Sequence, residues 1–187
     1  MGEAQRVLIV LRNFSYICDV LSYIKYIQDD QHYKEVLTKA ASVKEALWLG
    51  TSDLKDLYEN EKPFLSVIAE LLKRGVDVRL IHAKEPGPIF REEFDKYPIL
   101  AMRLERVLCP RVHFKLMIFD YREAYIGSAN LTGAGIGMKS SARRNFEAGI
   151  LTDDFGLVDA ACNQFDSVWT GSHCKDCGKK SFCVPLK

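Results

Sequence analysis

Apolar positions along this chain recur in two rhythms, one every second residue and one every third or fourth, and the two rhythms alternate. In residues 15–28, SYICDVLSYIKYIQ, the positions Ile17, Leu21, Ile24 and Ile27 fall at helical spacing and predict a helix. The apolar run EALWLGTS (45–52), closed by turn residues, reads as a buried strand. PFLSVIAELLKRG (63–75) has Pro at its first helical turn and Lys-Arg-Gly at its end, which are helix start and stop signals, and VDVRLIHA (76–83) follows as a strand. After the breaker Pro86-Gly87-Pro88 the spacing predicts a helix over 89–100 and a strand over 102–108. Two strands follow within HFKLMIFDYREAYIGSANLT (113–132), then a glycine-rich loop over 133–145 and a strand over 146–153. In 155–169, Leu157, Val158, Ala161, Cys162, Phe165, Val168 and Trp169 form one helical stripe suited to packing on a sheet. Strands and helices in alternation are α/β organisation.

The chain has 187 residues, enough for one sizeable domain with a small appendage. Residues 1–165 read as that domain and 166–187 as a Cys-rich tail. Its 26 basic and 25 acidic residues leave a formal charge of +1, so the whole molecule exerts no net attraction on nucleic acid or anionic membrane. Any basic surface is local. No stretch reaches the roughly 20 apolar residues that cross a bilayer. The VLIVL run is too short for a signal core, and Arg6 breaks the myristoylation pattern after Gly2. The expected location is the cytoplasm, where Cys18, Cys109, Cys162, Cys174, Cys177 and Cys183 read as thiols or metal ligands rather than disulfides.

The strand beginning at His113 carries two polar side chains where a buried strand has little use for them. Side chains alternate, so His113, Lys115, Met117 and Phe119 share one face and the apolar Val112, Phe114, Leu116 and Ile118 share the other. His113 and Lys115 then stand about 6–7 Å apart along the strand, close enough to hold one small anion together. An unpaired buried ammonium is costly, and neutral imidazole is a nucleophile. Downstream, Gly127 permits close backbone approach, and Ser128 and Asn130 offer short hydrogen-bonding side chains.

The spacing H-x-K-x4-D-x6-G-S-x-N resembles, in every specified position, the HKD motif of the phospholipase D superfamily. The single copy in a short chain is similar to the bacterial nuclease branch of that family. The resemblance implies a mixed β-sheet flanked by helices, one domain per chain, and a two-fold homodimer. It implies that His113 attacks phosphorus to give a phosphohistidine while Lys115, Ser128 and Asn130 hold the non-bridging oxygens. Asp120 and Gly127 would be structural, and Glu147, in RNFEAGI, would orient the imidazole. Lys139, Arg143 and Arg144, on the loop beyond Asn130, are placed to touch neighbouring phosphates.

A second imidazole is needed to protonate the leaving oxygen. His32, His82 and His173 lie in no second H-x-K. Single-motif members of the family dimerise, so that His113 of each protomer meets the other across the axis. Such chemistry needs no divalent metal at the phosphate. The implied activity is phosphodiester cleavage, with DNA or RNA as the first substrate class. The alternatives are phospholipid hydrolysis or transfer and a non-catalytic nucleic-acid-binding module.

The tail CKDCGKKSFC sets Cys174, Cys177 and Cys183 at C-x2-C-x5-C spacing with lysines between them. Nearby cations and a metal both favour thiolate, so a structural zinc site is expected, with Cys162 as fourth ligand and His173 or Cys109 as alternatives. The spacing leaves an iron–sulfur cluster open as well.

Overall fold

The computed structural model describes residues 22–55, 57–59 and 62–183. Strand β1 (Ile24–Gln28) leads into a π-helical turn (His32–Leu37) and a 3-10 turn (Thr38–Ser42). Next come β2 (Ala46–Thr51) and a small hairpin of β3 (Tyr58–Glu59) and β4 (Lys62–Pro63). Helix α1 (Phe64–Lys73), β5 (Asp77–His82), α2 (Pro88–Asp95), α3 (Pro98–Arg103) and β6 (Glu105–Leu108) follow. The chain continues through β7 (Lys115–Phe119), β8 (Glu123–Gly127), β9 (Ala148–Thr152) and α4 (Phe155–Trp169).

Seven strands form one mixed sheet in the order β1-β9-β8-β7-β2-β5-β6. The β2-β5 and β5-β6 pairs are parallel and the other pairs are antiparallel. Both faces are covered. Leu47, Leu49, Val78, Leu80, Met117 and Phe119 face a core shared with α1 and the turns over 32–42. Ala46, Trp48, Ile81, Leu116, Ile118 and Ala124 face a second core closed by Val158, Ala161 and Phe165 of α4. The alternation read along 112–119 is therefore the true one, and the sheet is a mixed sheet flanked by helices.

Local chemistry explains the elements that matter for the site. Helix α1 buries Phe64, Leu65, Val67, Ile68, Ala69, Leu71 and Leu72, each large side chain contributing about 1.5–3 kcal/mol when fully removed from water. It stops because Gly75 adopts a φ of 85°, which lets the Gly75 and Val76 amides donate to the Leu72 and Leu71 carbonyls at 3.1 Å each. Helix α4 begins where the Asp154 carboxylate accepts from the Leu157 amide at 2.9 Å.

Two expectations differ from the structure. Of the helix expected over 15–28, residues 15–21 lie outside the described residues, as do Cys18 and the VLIVL run, while Ile24–Gln28 is an antiparallel edge strand on β9. Ile27 is buried and Ile24 is 62% exposed, so the spacing that mimicked a helical stripe belongs to a run, YIKYI, whose aromatic and β-branched residues suit a sheet edge. The helix expected over 89–100 is broken into α2 and α3, with Pro98 opening the second. Helix α4 runs unbroken to Trp169, so the tail leaves it at Thr170.

Candidate active site

Strand direction gathers the motif. Because β7 runs antiparallel to both β2 and β8, and β8 antiparallel to β9, the start of β7, the ends of β2 and β8 and the start of β9 meet at one end of the sheet. In register, Lys115 lies opposite Gly127, and Gly127 opposite Gly149. His113, Ser128, Asn130 and Glu147 flank these pairs.

His113 is exposed just ahead of β7, whereas Lys115 is buried at 7% exposure. The Lys115 ammonium donates to the His113 carbonyl at 2.6 Å and stands 3.4 Å from the ring Nδ1. Burial holds the Lys115 pKa below the ordinary lysine value, and the nearby Glu147 charge opposes part of that shift. A cation kept in a dry recess beside an exposed imidazole acts strongly on any anion that both reach.

Asn130 is fixed by groups outside the motif. Its Oδ1 accepts from Thr51 Oγ1 at 3.1 Å, the Ser52 amide at 3.2 Å, Ser52 Oγ at 2.8 Å and the Asp53 amide at 3.1 Å. The acceptor end of the amide is thus occupied, and its NH2 is the end left to donate. Thr51 Oγ1 also accepts from the Leu131 amide at 3.1 Å. These residues were legible only as a turn closing a buried strand; their signal is the polar triplet Thr51-Ser52-Asp53 directly at a strand's carboxyl end.

Ser128 donates through Oγ to Glu147, and the Ala148 amide donates to the same Oγ at 3.0 Å. Glu147 also accepts from Asn145 Nδ2 at 3.0 Å. The expected contact of Glu147 with the His113 ring is not made among the described residues; the carboxylate is held by Ser128 and Asn145, a short step along the same sheet end. Gly127 is required by packing, since a Cβ there would lie 2.2 Å from Tyr125 Oη and 2.8 Å from the Ala148 carbonyl.

Asp120 lies at the other end of β7, where it accepts from the amides of Lys44, Glu45 and Ala46 at 2.7–3.1 Å. Burial alone would raise its pKa, but the amides of Ala46, Glu45 and Lys44 and the Arg122 charge outweigh it and hold the carboxyl below the usual range. Its φ of 52° makes it one of few non-glycine residues in the left-handed region. The residue is a staple between the end of β7 and the entry to β2.

The loop over 129–146 brings the three expected phosphate-binding cations to differing positions. Lys139 and Arg143 are exposed. Arg144 is instead committed to Asp30 at 3.3 Å, which ties the loop to the segment after β1 and removes it from the free cations. Of the other imidazoles, His32 is fully buried with Nδ1 2.8 Å from the Asp29 carbonyl, and His82 is buried with Nδ1 2.9 Å from the Lys84 carbonyl. Burial lowers both pKa values. His82 closes β5 at this same sheet end, opposite Thr51, but its ring is buried there, and His32 is buried in the turn after β1.

Among the described residues no three His, Cys, Asp or Glu side chains form a ready-made ligand group. Cys162 does not join the three tail thiols. It sits on α4 within charge range of Tyr121, and burial followed by Asp166 and Asp159 raises its pKa. The tail thiols share a cavity with Cys109 instead.

With the site in view, the family model described as cardiolipin synthase, PLD-like domain, matches residues 34–169. The chain belongs to this PLD-like family. No curated protein sequence matches it. Among solved structures, this PLD-like chain is similar to NucT from Helicobacter pylori, with a TM-score of 0.60 and 16% identity over 88% of this chain and 100% of that one. It is also similar to Nuc from Salmonella typhimurium, a phospholipase D family member, with a TM-score of 0.59 and 16% identity over 80% of this chain and 95% of that one. A third likeness is to TrmBL2, an archaeal chromatin protein with a novel mode of DNA binding, at 0.54 and 16% over 89% and 60% of the two chains. At these identities the likeness is one of fold. Among the described residues, no helix of this PLD-like protein is long and apolar enough to cross a membrane.

Proposed function

We propose that the protein is a phosphodiesterase that works through a phosphohistidine and cleaves DNA or RNA. The observation that carries this reading is the exposed His113 ring beside the buried Lys115 ammonium, 3.4 Å away, at the sheet end that also bears Ser128 and Asn130. His113 attacks phosphorus; an N–P bond forms and the P–O bond to the leaving group breaks. Lys115 and the Asn130 NH2 stabilise the charge that accumulates on the non-bridging oxygens. With Glu147 as acceptor, Ser128 is held at the rim of the same pocket.

The leaving oxygen takes a proton from a second imidazole, which we assign to His113 of a second copy in a homodimer, since His32 and His82 are buried and the exposed His173 stands in the tail, beside the cysteine-lined cavity and outside any second H-x-K. Water then returns a proton to that imidazole and attacks phosphorus, and the N–P bond breaks. No step calls on a metal ion.

Nucleic acid is favoured over lipid by two features. Phe146, next to Glu147, is 95% exposed, and a bare aromatic ring beside a phosphate site is a stacking platform for a base. Lys139 and Arg143, exposed on the loop beyond Asn130, supply cations for neighbouring phosphates. Of the two side chains that could form an apolar lip for an acyl chain, Phe90 is buried in the core and Met138 is half-buried against it.

The test is turnover of single-stranded DNA, duplex DNA, RNA, phosphatidylcholine and a bis-aryl phosphate, with native protein and His113→Ala, in EDTA. Nucleic acid is expected to be cleaved with EDTA present, and His113→Ala to lose on the order of a thousandfold or more. Turnover of the phospholipid alone would contradict the substrate assignment. Salt-dependent binding without turnover of any substrate would overturn catalysis altogether.

A further inference from the structure

The tail does not run off into solvent after α4. Gly171, with a φ of 71°, donates to the Val168 carbonyl at 3.1 Å, and the Ser172 amide donates to the Ser167 carbonyl at 3.1 Å, the pair of bonds that reverses a chain at a helix end. Residues beyond the turn return to the carboxyl ends of β5 and β6, where Lys179 and Phe182 share a hollow with Ala83, Lys84, Leu108 and Pro110. Parallel β2, β5 and β6 finish at the sheet end where β7 begins. The tail therefore lies at the same end of the sheet as His113.

A cavity of about 270 Å³ opens between the tail, α4 and the segment over 109–114. Cys109, Cys174, Cys177 and Cys183 all line it, as does His173, and all four thiols are free. The C-x2-C-G-x stretch is already turned. The Cys177 amide donates to the Cys174 carbonyl at 3.3 Å, and the Lys179 amide points at Cys177 Sγ at 3.4 Å.

The electrostatics favour a cation at the centre. The four cysteines line one cavity, where four thiolates would repel one another, a repulsion that a divalent ion among them reverses. Arg111 lines the same cavity, and Lys175, Lys179 and Lys180 are interleaved with the thiols along the tail, which supplies cations to offset the negative charge of a four-thiolate centre.

We propose that Cys109, Cys174, Cys177 and Cys183 bind one zinc ion, which fastens the tail to the segment leading into His113. Four thiolates are the closed donor set of a structural zinc, and the C-x2-C spacing delivers two of them to one ion. Rotation of the four side chains into that cavity completes the group, with one proton released from each thiol as it binds. The consequence follows from Cys109. Its amide donates to the His82 carbonyl and its carbonyl accepts from the Val112 amide, each at 2.9 Å, so the ion anchors the strand entry immediately before His113 and holds the tail lysines beside it.

Elemental mass spectrometry on the full chain, purified under reducing conditions, tests the assignment independently of any activity. One zinc per chain is expected, falling to background in Cys109→Ser and Cys177→Ser and unchanged in Cys162→Ser. Should a serine variant fail to fold, cobalt exchange into the native protein decides, since four thiolates give intense sulfur-to-cobalt charge-transfer bands and tetrahedral d–d bands. A native protein that holds no metal and takes up no cobalt would overturn the site. So would stoichiometric iron in place of zinc, or metal kept by Cys109→Ser and lost by Cys162→Ser.

Discussion

Lys115 is the residue at which folding and chemistry pull in opposite directions. Its ammonium is buried, and burial lowers its pKa. Below the folded-state value both folded and unfolded forms are protonated, and the burial penalty is present in full. As pH rises through that depressed value toward the ordinary lysine value, the folded form loses its proton first and the penalty is relieved. Lys115→Met is therefore expected to melt at or above the native temperature at neutral pH, with an advantage that shrinks as the solution is made alkaline. Its kcat on a phosphodiester is expected to fall about 10²–10³-fold, the usual cost of removing one preorganised donor to a developing oxyanion. Calorimetry beside steady-state kinetics checks both; a variant that loses stability and activity together would make Lys115 a structural residue. Asn130 is the complementary case, a side chain whose role depends on neighbours it cannot reveal in sequence, since the four groups that hold its Oδ1 come from residues 51–53.

At the scale of elements, the staple between β7 and β2 sets the register that places His113. Asp120 gathers three amides, and charge-assisted bonds of this kind contribute about 1.5–3 kcal/mol before non-additivity. Asp120→Ala is expected to destabilise the fold by about 3 kcal/mol, and Asp120→Asn by less, because Asn keeps an acceptor and tolerates the left-handed backbone. The stabilisation is present above the ordinary carboxylate pKa and is lost as pH falls through the depressed folded value, so native and Asp120→Ala stabilities should converge in acid. Urea titrations across that range measure it. Strands β2 and β5 to β9 were legible because their apolar runs have strand length and their turns carry Gly, Pro or Asp, whereas the two-residue strands β3 and β4 are too short to carry any rhythm. Strand β1 was not, because an edge strand with exposed Ile24 and Tyr26 has no core to impose a two-residue rhythm, and the helical spacing of its isoleucines prevailed by accident. The break between α2 and α3 was written in Pro98, whose missing amide ends one helix and opens the next.

At the scale of the whole molecule, a motif spread over residues 113 to 147 becomes a site because antiparallel β7, β8 and β9 bring its two ends to one end of the sheet. The residues of that site were legible as a spacing, but Glu147's attachment to Ser128, the loss of Arg144 to Asp30 and the meeting of Cys109 with the tail depend on three-dimensional proximity that no local period encodes. The same sheet end presents a single exposed imidazole of the motif, which is why a two-step mechanism calls for a second copy. The most direct test is a single turnover of a phosphodiester in EDTA, quenched in alkali to preserve a phosphoramidate bond and followed by mass spectrometry of the peptides. The account predicts a substrate-derived phosphoryl adduct on the peptide holding His113, at that residue, formed before product release and absent from His113→Asn. Full turnover by His113→Asn, or rapid turnover of the native protein with no adduct at His113, would contradict it.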